Sequence, residues 1–234
     1  MKVIILATRK ATRLLPLTKY TPQCLLKVGS KTILERQVEN LKKLGIEDII
    51  VITGHLSKEI EKCKEELGIK TLFNPFYEVS GMALALWLVQ KELKESFIFL
   101  YSDVLFDPKI ITYLLESEWD ICLSIKKKRI VVREEAEKVV VKDGIITNIS
   151  KVRTVEENGE FIGIAKFSSI GADKLITELN QTAKTNLNAS LIEVIDSLIK
   201  NGETITARDI EGASFVDIDF PEDLKKAEEL FPYN

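Results

Sequence analysis

Apolar residues in the first half of the chain fall by turns into short continuous runs and into helical spacing. Runs over 3–7, 48–53, 97–101 and 120–125 predict strands, and 70–73 a shorter one. The β-branched run at 48–53 and the aromatic-rich run at 97–101 read as buried strands. Between the runs, Ile33, Leu34, Val38, Leu41 and Leu44 share one face of a predicted helix over 32–44, closed by Gly45. Helices are likewise predicted over 57–67, ended by Gly68, over 82–93 and over 108–115. This alternation predicts an α/β fold with a parallel-rich sheet and helices on both faces.

The pattern then changes. Short β runs stand at 130–132, 138–141 and 145–149, and Asp143-Gly144 between the last two is a tight-hairpin signal. A strand over 162–167, helices over 172–179 and 190–200, and strands over 204–207 and 214–218 follow. A last helix opens at Pro221, with Glu222 and Asp223 in its first turn. No internal repeat or low-complexity linker divides the sequence. One domain over 1–234, with an inserted β arm at roughly 128–155, is the economical reading.

Composition narrows the function classes. At 234 residues, 45% hydrophobic and 29% charged, the chain can bury a sizeable core. A net charge of -3 with scattered basic residues leaves no footprint for nucleic acid. No apolar run approaches the ~20 residues of a membrane span. The apolar start is too short for a signal peptide, and Arg9 and Lys10 follow it rather than precede it. Cys24, Cys63 and Cys122 are widely spaced beside a single histidine, which fits neither a zinc site nor a disulfide frame. Reduced thiols in a cytoplasmic protein are expected.

In an open α/β sheet, ligands gather at the carboxyl ends of the parallel strands. Three polar segments are predicted there: the 8–20 loop, the 74–81 loop and Ser102-Asp103. A carboxylate just past a buried run can face a ligand, whereas one inside it would be ruinously desolvated. Asp103 is placed for that, or else serves as a cap or turn residue ahead of Asp107-Pro108. Asp217 and Asp219 alternate with Val216 and Ile218, so both carboxylates leave one face of a strand. Paired like charges call for a cation or a basic partner; capping of the helix at Pro221 is the alternative for Asp219.

The stretch over 6–28, LATRKATRLLPLTKYTPQCLLKV, resembles the N-terminal signature of the nucleotidyltransferases that join an NTP to a phosphorylated small molecule. That signature reads roughly L-A-x-G-x-G-T-R-L-x-P-L-T, followed by P-K. The resemblance implies a Rossmann-like, mixed and mostly parallel sheet. Leu6, Ala7, Thr8 and Thr12 would lie along the nucleotide, and Arg13 would reach the triphosphate. Gly81-Met82-Ala83-Leu84-Ala85-Leu86 resembles the family's G-T-A-x-A-L element, whose backbone lies against the base. Asp103, Asp217 and Asp219 match the positions that hold Mg²⁺ in the family. In the second half, Lys138, Lys151 and GEFIGIAKF over 159–167 resemble the cytidylyltransferases of inositol phosphate, phosphocholine and aminoethylphosphonate. There Lys138, Glu160 and Gly163 would line the acceptor pocket and Lys151 would contact a phosphate. Taken singly, these lysines read as surface charges, Asn188 and Glu193 as capping or solvated residues, and His55 as a loop residue.

The implied reaction is Mg²⁺-dependent transfer from an NTP, CTP by the subgroup, to a phosphorylated acceptor, with pyrophosphate leaving. Three positions depart from the signature: Arg9 and Ala11 replace glycines, and Gln23 replaces the phosphate-binding lysine. A glutamine donates a hydrogen bond but neutralises no charge. Either Arg9 and Lys10 supply the missing charge or Arg9 marks a relaxed loop. A second expectation is therefore a nucleotide-binding or regulatory relative with little turnover. The β arm leaves a homodimer open.

Overall fold

The continuous apolar runs of the sequence become the centre of a nine-stranded sheet. The structure, a computed structural model, describes residues 1–127 and 135–232; the strand expected at 130–132 lies outside the described residues. In chain order the first half contains β1 (Lys2–Ala7), β2 (Lys27–Val28), β3 (Lys31–Thr32), α1 (Ile33–Lys43), β4 (Asp48–Thr53), α2 (Ser57–Leu67) and β5 (Lys70–Phe73). Next come α3 (Met82–Leu88), β6 (Phe97–Tyr101), β7 (Val104–Phe106), α4 (Lys109–Leu115) and β8 (Ile121–Lys127). The second half holds β9 (Glu137–Lys142), β10 (Ile145–Ser150), β11 (Gly159–Phe167), α5 (Ser169–Thr185), α6 (Leu191–Lys200), β12 (Thr206–Asp209), β13 (Phe215–Asp217) and α7 (Pro221–Leu230).

The main sheet runs β5-β4-β1-β6-β11-β8-β12-β10-β9. From β5 to β6 every pairing is parallel. β11 then enters antiparallel to both β6 and β8, β12 is parallel to β8, and β10 runs against β12. Side chains of β1 alternate between two cores: Ile4 and Leu6 join one cluster, Val3 and Ile5 the other. Helices covering both faces explain why these strands are apolar without a break.

β9 and β10 form the expected hairpin, with Asp143 at φ 51° and Gly144 at φ 80° in its turn. The arm does not stand apart: β9 pairs with the first residues of β11, and β10 reaches β12. The helix expected over 82–93 ends at Leu88 and tightens into a 3-10 turn over Gln90–Leu93 that keeps Leu93 buried. α5 runs well past the expected 172–179. Its Ser168 cap starts it early, and its last turns are polar, so no apolar spacing announces them.

A third, smaller cluster fixes the segments that build the site. Leu14, Leu26, Val28, Leu105, Val216 and Ile218 pack together, tying the loop after β1 to β7, β13 and α7. α1 reaches the same region. Its Thr32–Glu35 capping box starts the helix, and its buried Gln37 donates to the carbonyls of Tyr101 (2.9 Å) and Val104 (2.8 Å). The turn carrying Ser102 and Asp103 is thereby clamped on both sides.

Candidate active site

A cavity of about 190 Å³ opens at the carboxyl ends of β1 and β6, where the topology of an open α/β sheet favours a ligand. Leu6, Ala7, Thr12, Arg13, Gln23, Met82, Asp103, Lys151, Glu160, Gly163, Asp217 and Asp219 all line it. Four residues expected with them do not. Thr8 is buried, and its carbonyl accepts from His55 N. Gly81 and Ala83 are turned into the packing against the α5–α6 loop: Gly81 N donates to Leu187 O and Ala83 N to Ala189 O. A Cβ on Gly81 would come within 2.3 Å of the carbonyl oxygens of Asn188 and Ala189, which accounts for glycine there without a ligand. Lys138 is buried with Nζ donating to Ala136 O and Lys151 O, so it braces the arm from within.

Asp103 is the most unusual side chain in the cavity. Its Oδ1 is shut from solvent and has no hydrogen-bond partner among the described residues. Burial first, and the neighbouring Asp219 charge second, push its pKa upward; Arg9 and Lys151 pull the other way. The capping role falls instead to Asp107, whose carboxylate accepts from Lys109 N. Backbone pairing brings the C-terminal acids alongside: β13 runs antiparallel to β7, and Ile218 N donates to Asp103 O at 3.0 Å. Val216 and Ile218 are buried while Asp217 and Asp219 face the cavity, as their alternation predicted. Asp219 does not cap α7, because Asp223 accepts the N–H groups of Asp219 and Phe220.

The loop after β1 supplies the opposing charge. Leu14 is fully buried in the third cluster and anchors Arg13, whose guanidinium lies 3.5 Å from Asp219 and 5.4 Å from the Phe220 ring centroid. Gln23 lines the cavity, but its Nε2 donates to Ile218 O at 2.5 Å, bolting the loop between the two C-terminal acids. Among the described residues no group of three His, Cys, Asp or Glu side chains is placed to hold an ion. The three-carboxylate clasp expected from the sequence is therefore not assembled. Asp219 has been drawn to Arg13, and the near pair is Asp103 with Asp219. The orphaned Oδ1 beside a second carboxylate nonetheless suits a hard cation that takes further oxygens from water or phosphate.

At the other end of the cavity the arm contributes groups that the sequence analysis missed. Glu137 is buried at the start of β9 and accepts from the Tyr101 hydroxyl at 3.2 Å. Lys151 Nζ stands 4.0 Å away. Burial raises the Glu137 pKa to about 7, against the opposing pull of Lys151 and the Tyr101 hydrogen bond. In the sequence Glu137 sits among charged neighbours and reads as a solvated face; no signal singled it out. Gly163, at φ +80°, lets β11 bend past Tyr101, since a Cβ there would lie 2.4 Å from the ring. Cys24 is buried in the second core and held up to about 12 chiefly by desolvation, so it offers no nucleophile.

Parallel strand ends, a loop bearing Arg9, Lys10 and Arg13 on one wall and carboxylates on the other mark this cavity as the ligand site of an α/β protein. The model of the nucleotidyl transferase family matches residues 2–119, and the chain belongs to that family of enzymes, as its motifs implied. It is similar to the choline-phosphate cytidylyltransferase of Streptococcus pneumoniae, with 28% identity across 98% of each chain. A UTP–glucose-1-phosphate uridylyltransferase of Haloferax volcanii is 30% identical over 98% of this chain and 96% of its own. Among solved structures, the CTP:phosphocholine cytidylyltransferase of S. pneumoniae superposes with a TM-score of 0.79 at 26% identity, covering 98% of each chain. The inositol-1-phosphate CTP transferase of T. maritima shares the fold at a TM-score of 0.83 and 23% identity, over 97% of this chain and 96% of that one.

Proposed function

We propose that this chain is a Mg²⁺-dependent cytidylyltransferase that joins CTP to a phosphorylated small molecule and releases pyrophosphate. The observation that carries the reading is the cavity itself: Asp103, whose Oδ1 has no hydrogen-bond partner among the described residues, stands beside Asp219 and opposite a loop bearing Arg9 and Arg13. The similarity to a cytidylyltransferase over nearly the whole chain supports CTP. The sheet that runs through both halves supports a single catalytic unit over 1–234. Three free cysteines support a cytoplasmic location, and no helix among the described residues is long and apolar enough to cross a membrane.

In this reading an oxygen of the acceptor phosphate forms a bond to the α-phosphorus of CTP as the bond to the pyrophosphate oxygen breaks. The acceptor is already an anion, so no general base is required, and catalysis is positioning plus charge stabilisation. Asp103 and Asp219 would hold Mg²⁺, which would supply charge neutralisation on the phosphates. Arg13 orients phosphate oxygens and is itself oriented by Asp219 and Phe220. Lys151 meets the acceptor phosphate from the arm, while Gln37 and the β7–β13 pairing hold Asp103 still.

A second reading, nucleotide binding with little turnover, is favoured by the commitment of Gln23 to Ile218 O, which withdraws that position from the phosphates. Pyrophosphate release, measured for each of the four NTPs against a panel of phosphorylated acceptors with and without Mg²⁺, separates the two. Mg²⁺-dependent release with CTP and one acceptor class supports transfer. Nucleotide binding without release from any pair supports the second reading.

A further inference from the structure

The charges lining the cavity do not balance in favour of a polyanion. Six carboxylates face four cations, so the cations must be free to meet a nucleotide's phosphates. Two of the four already have partners. Arg13 is shared with Asp219 and Phe220. Lys151 is turned toward Glu137. Lys10 is exposed at the cavity rim and helps to lower the pKa of His55, after the larger effect of burial.

Arg9 differs from Arg13 and Lys151. It lines the cavity and is exposed, yet among the described residues its guanidinium has no hydrogen bond, ion pair or ring contact. Its charge acts on Tyr101, Asp103 and Glu137, which line the cavity from the acid pair to the arm. Lys10 is not among the charges acting on these three, and it lacks the fork. A planar fork with five donors and no internal partner suits two phosphate oxygens at once.

Resting on the nucleotide reading above, we propose that Arg9 is the principal polyphosphate-binding group of this cavity, gripping non-bridging oxygens of the nucleotide's phosphates with its guanidinium fork. On this view its place in the loop is a relocation of positive charge, made as Gln23 became a structural bolt.

Titration calorimetry on the purified full chain with Mg²⁺ and either CTP or inorganic pyrophosphate tests this, using wild type, Arg9→Gln and Arg9→Lys, beside pyrophosphate release. Loss of one charge-assisted fork should weaken both ligands by about tenfold to a hundredfold in Arg9→Gln. Arg9→Lys should fall between, and the salt dependence of binding should be shallower in Arg9→Gln than in wild type. Thermal melting checks the fold; if Arg9→Gln fails to fold, the Arg9→Lys loss and its salt slope decide. Arg9→Gln binding both ligands within twofold of wild type overturns the proposal. If release occurs and is indifferent to Arg9→Gln, the proposal falls while the transfer reading stands. If wild type releases nothing but its CTP binding depends on Arg9, the reverse holds. A wild type that binds neither ligand removes both.

Discussion

Asp103 and Glu137 are both carboxylates on the wall of one cavity, and burial raises the pKa of each, but they are housed differently. Glu137 has a hydroxyl donor and a nearby ammonium. Asp103 has an oxygen with no partner and a like charge for a neighbour. The first carboxylate has protein partners on hand, and the second is left in need of a cation. Two acids on one cavity wall thus carry different information, and hydrogen-bond satisfaction tells them apart.

The sharpest way to break this contrast is Asp103→Asn. Pyrophosphate release should drop by roughly a thousandfold, within the range for removing a main electrostatic contact. Melting temperature at pH 7.5 should hold or rise, because an uncompensated charge is removed from the interior. A fall in melting temperature with activity retained would make Asp103 structural.

The clamp beneath it comes next. Gln37→Ala strips donors from the carbonyls of Tyr101 and Val104, costing about 3 kcal/mol by denaturant melting for two unsatisfied buried acceptors. The turnover number should fall, while CTP affinity changes little. Unchanged stability would show that another donor or water takes over.

Glu137→Gln sharpens the comparison through pH. The folded-state pKa, about 7, lies above the unfolded value, so the native chain binds the extra proton and loses stability as pH rises from about 4.5 to about 7. Glutamine keeps an acceptor for Tyr101 and does not titrate. The variant should therefore gain on wild type across that window, by at most roughly 3 kcal/mol above pH 8. A difference flat between pH 5 and 8 would show that Glu137 is not strained by its burial.

The smallest effect is expected from Gln23→Lys. A lysine there can keep the contact to Ile218 O beside Asp217 and Asp219, so turnover should change by less than about threefold, the scale of a solvated pair. A tenfold gain in steady-state rate would mean that the ammonium swings into the cavity.

Much of this arrangement was legible in the sequence, and for identifiable reasons. β1, β4 and β6 are buried on both faces, so their apolar runs are unbroken, and Asp143-Gly144 satisfies a turn that few other pairs allow. The alternation around Asp217 and Asp219 survives because period two is rigid in a strand. What stayed hidden depends on long-range contacts. β7 spans Val104–Phe106 and exists only because β13 pairs with it. Gln37 reads as an ordinary polar position of a helix, and its burial follows from β6 lying beneath it. Gly81, expected against a nucleotide, instead answers to backbone more than a hundred residues later in the chain. Glu137 is masked by the charged residues around it.

One latch has a consequence for how the molecule comes into being. Arg13, near the start of the chain, is held by Asp219 and Phe220, near its end, and the Asp103 turn receives a backbone hydrogen bond from Ile218. A chain still emerging from the ribosome lacks that last wall until residue 220 has cleared the exit tunnel. Nascent fragments can form the parallel strands early, but the cavity keeps one side open until the segment around residue 220 folds back onto it.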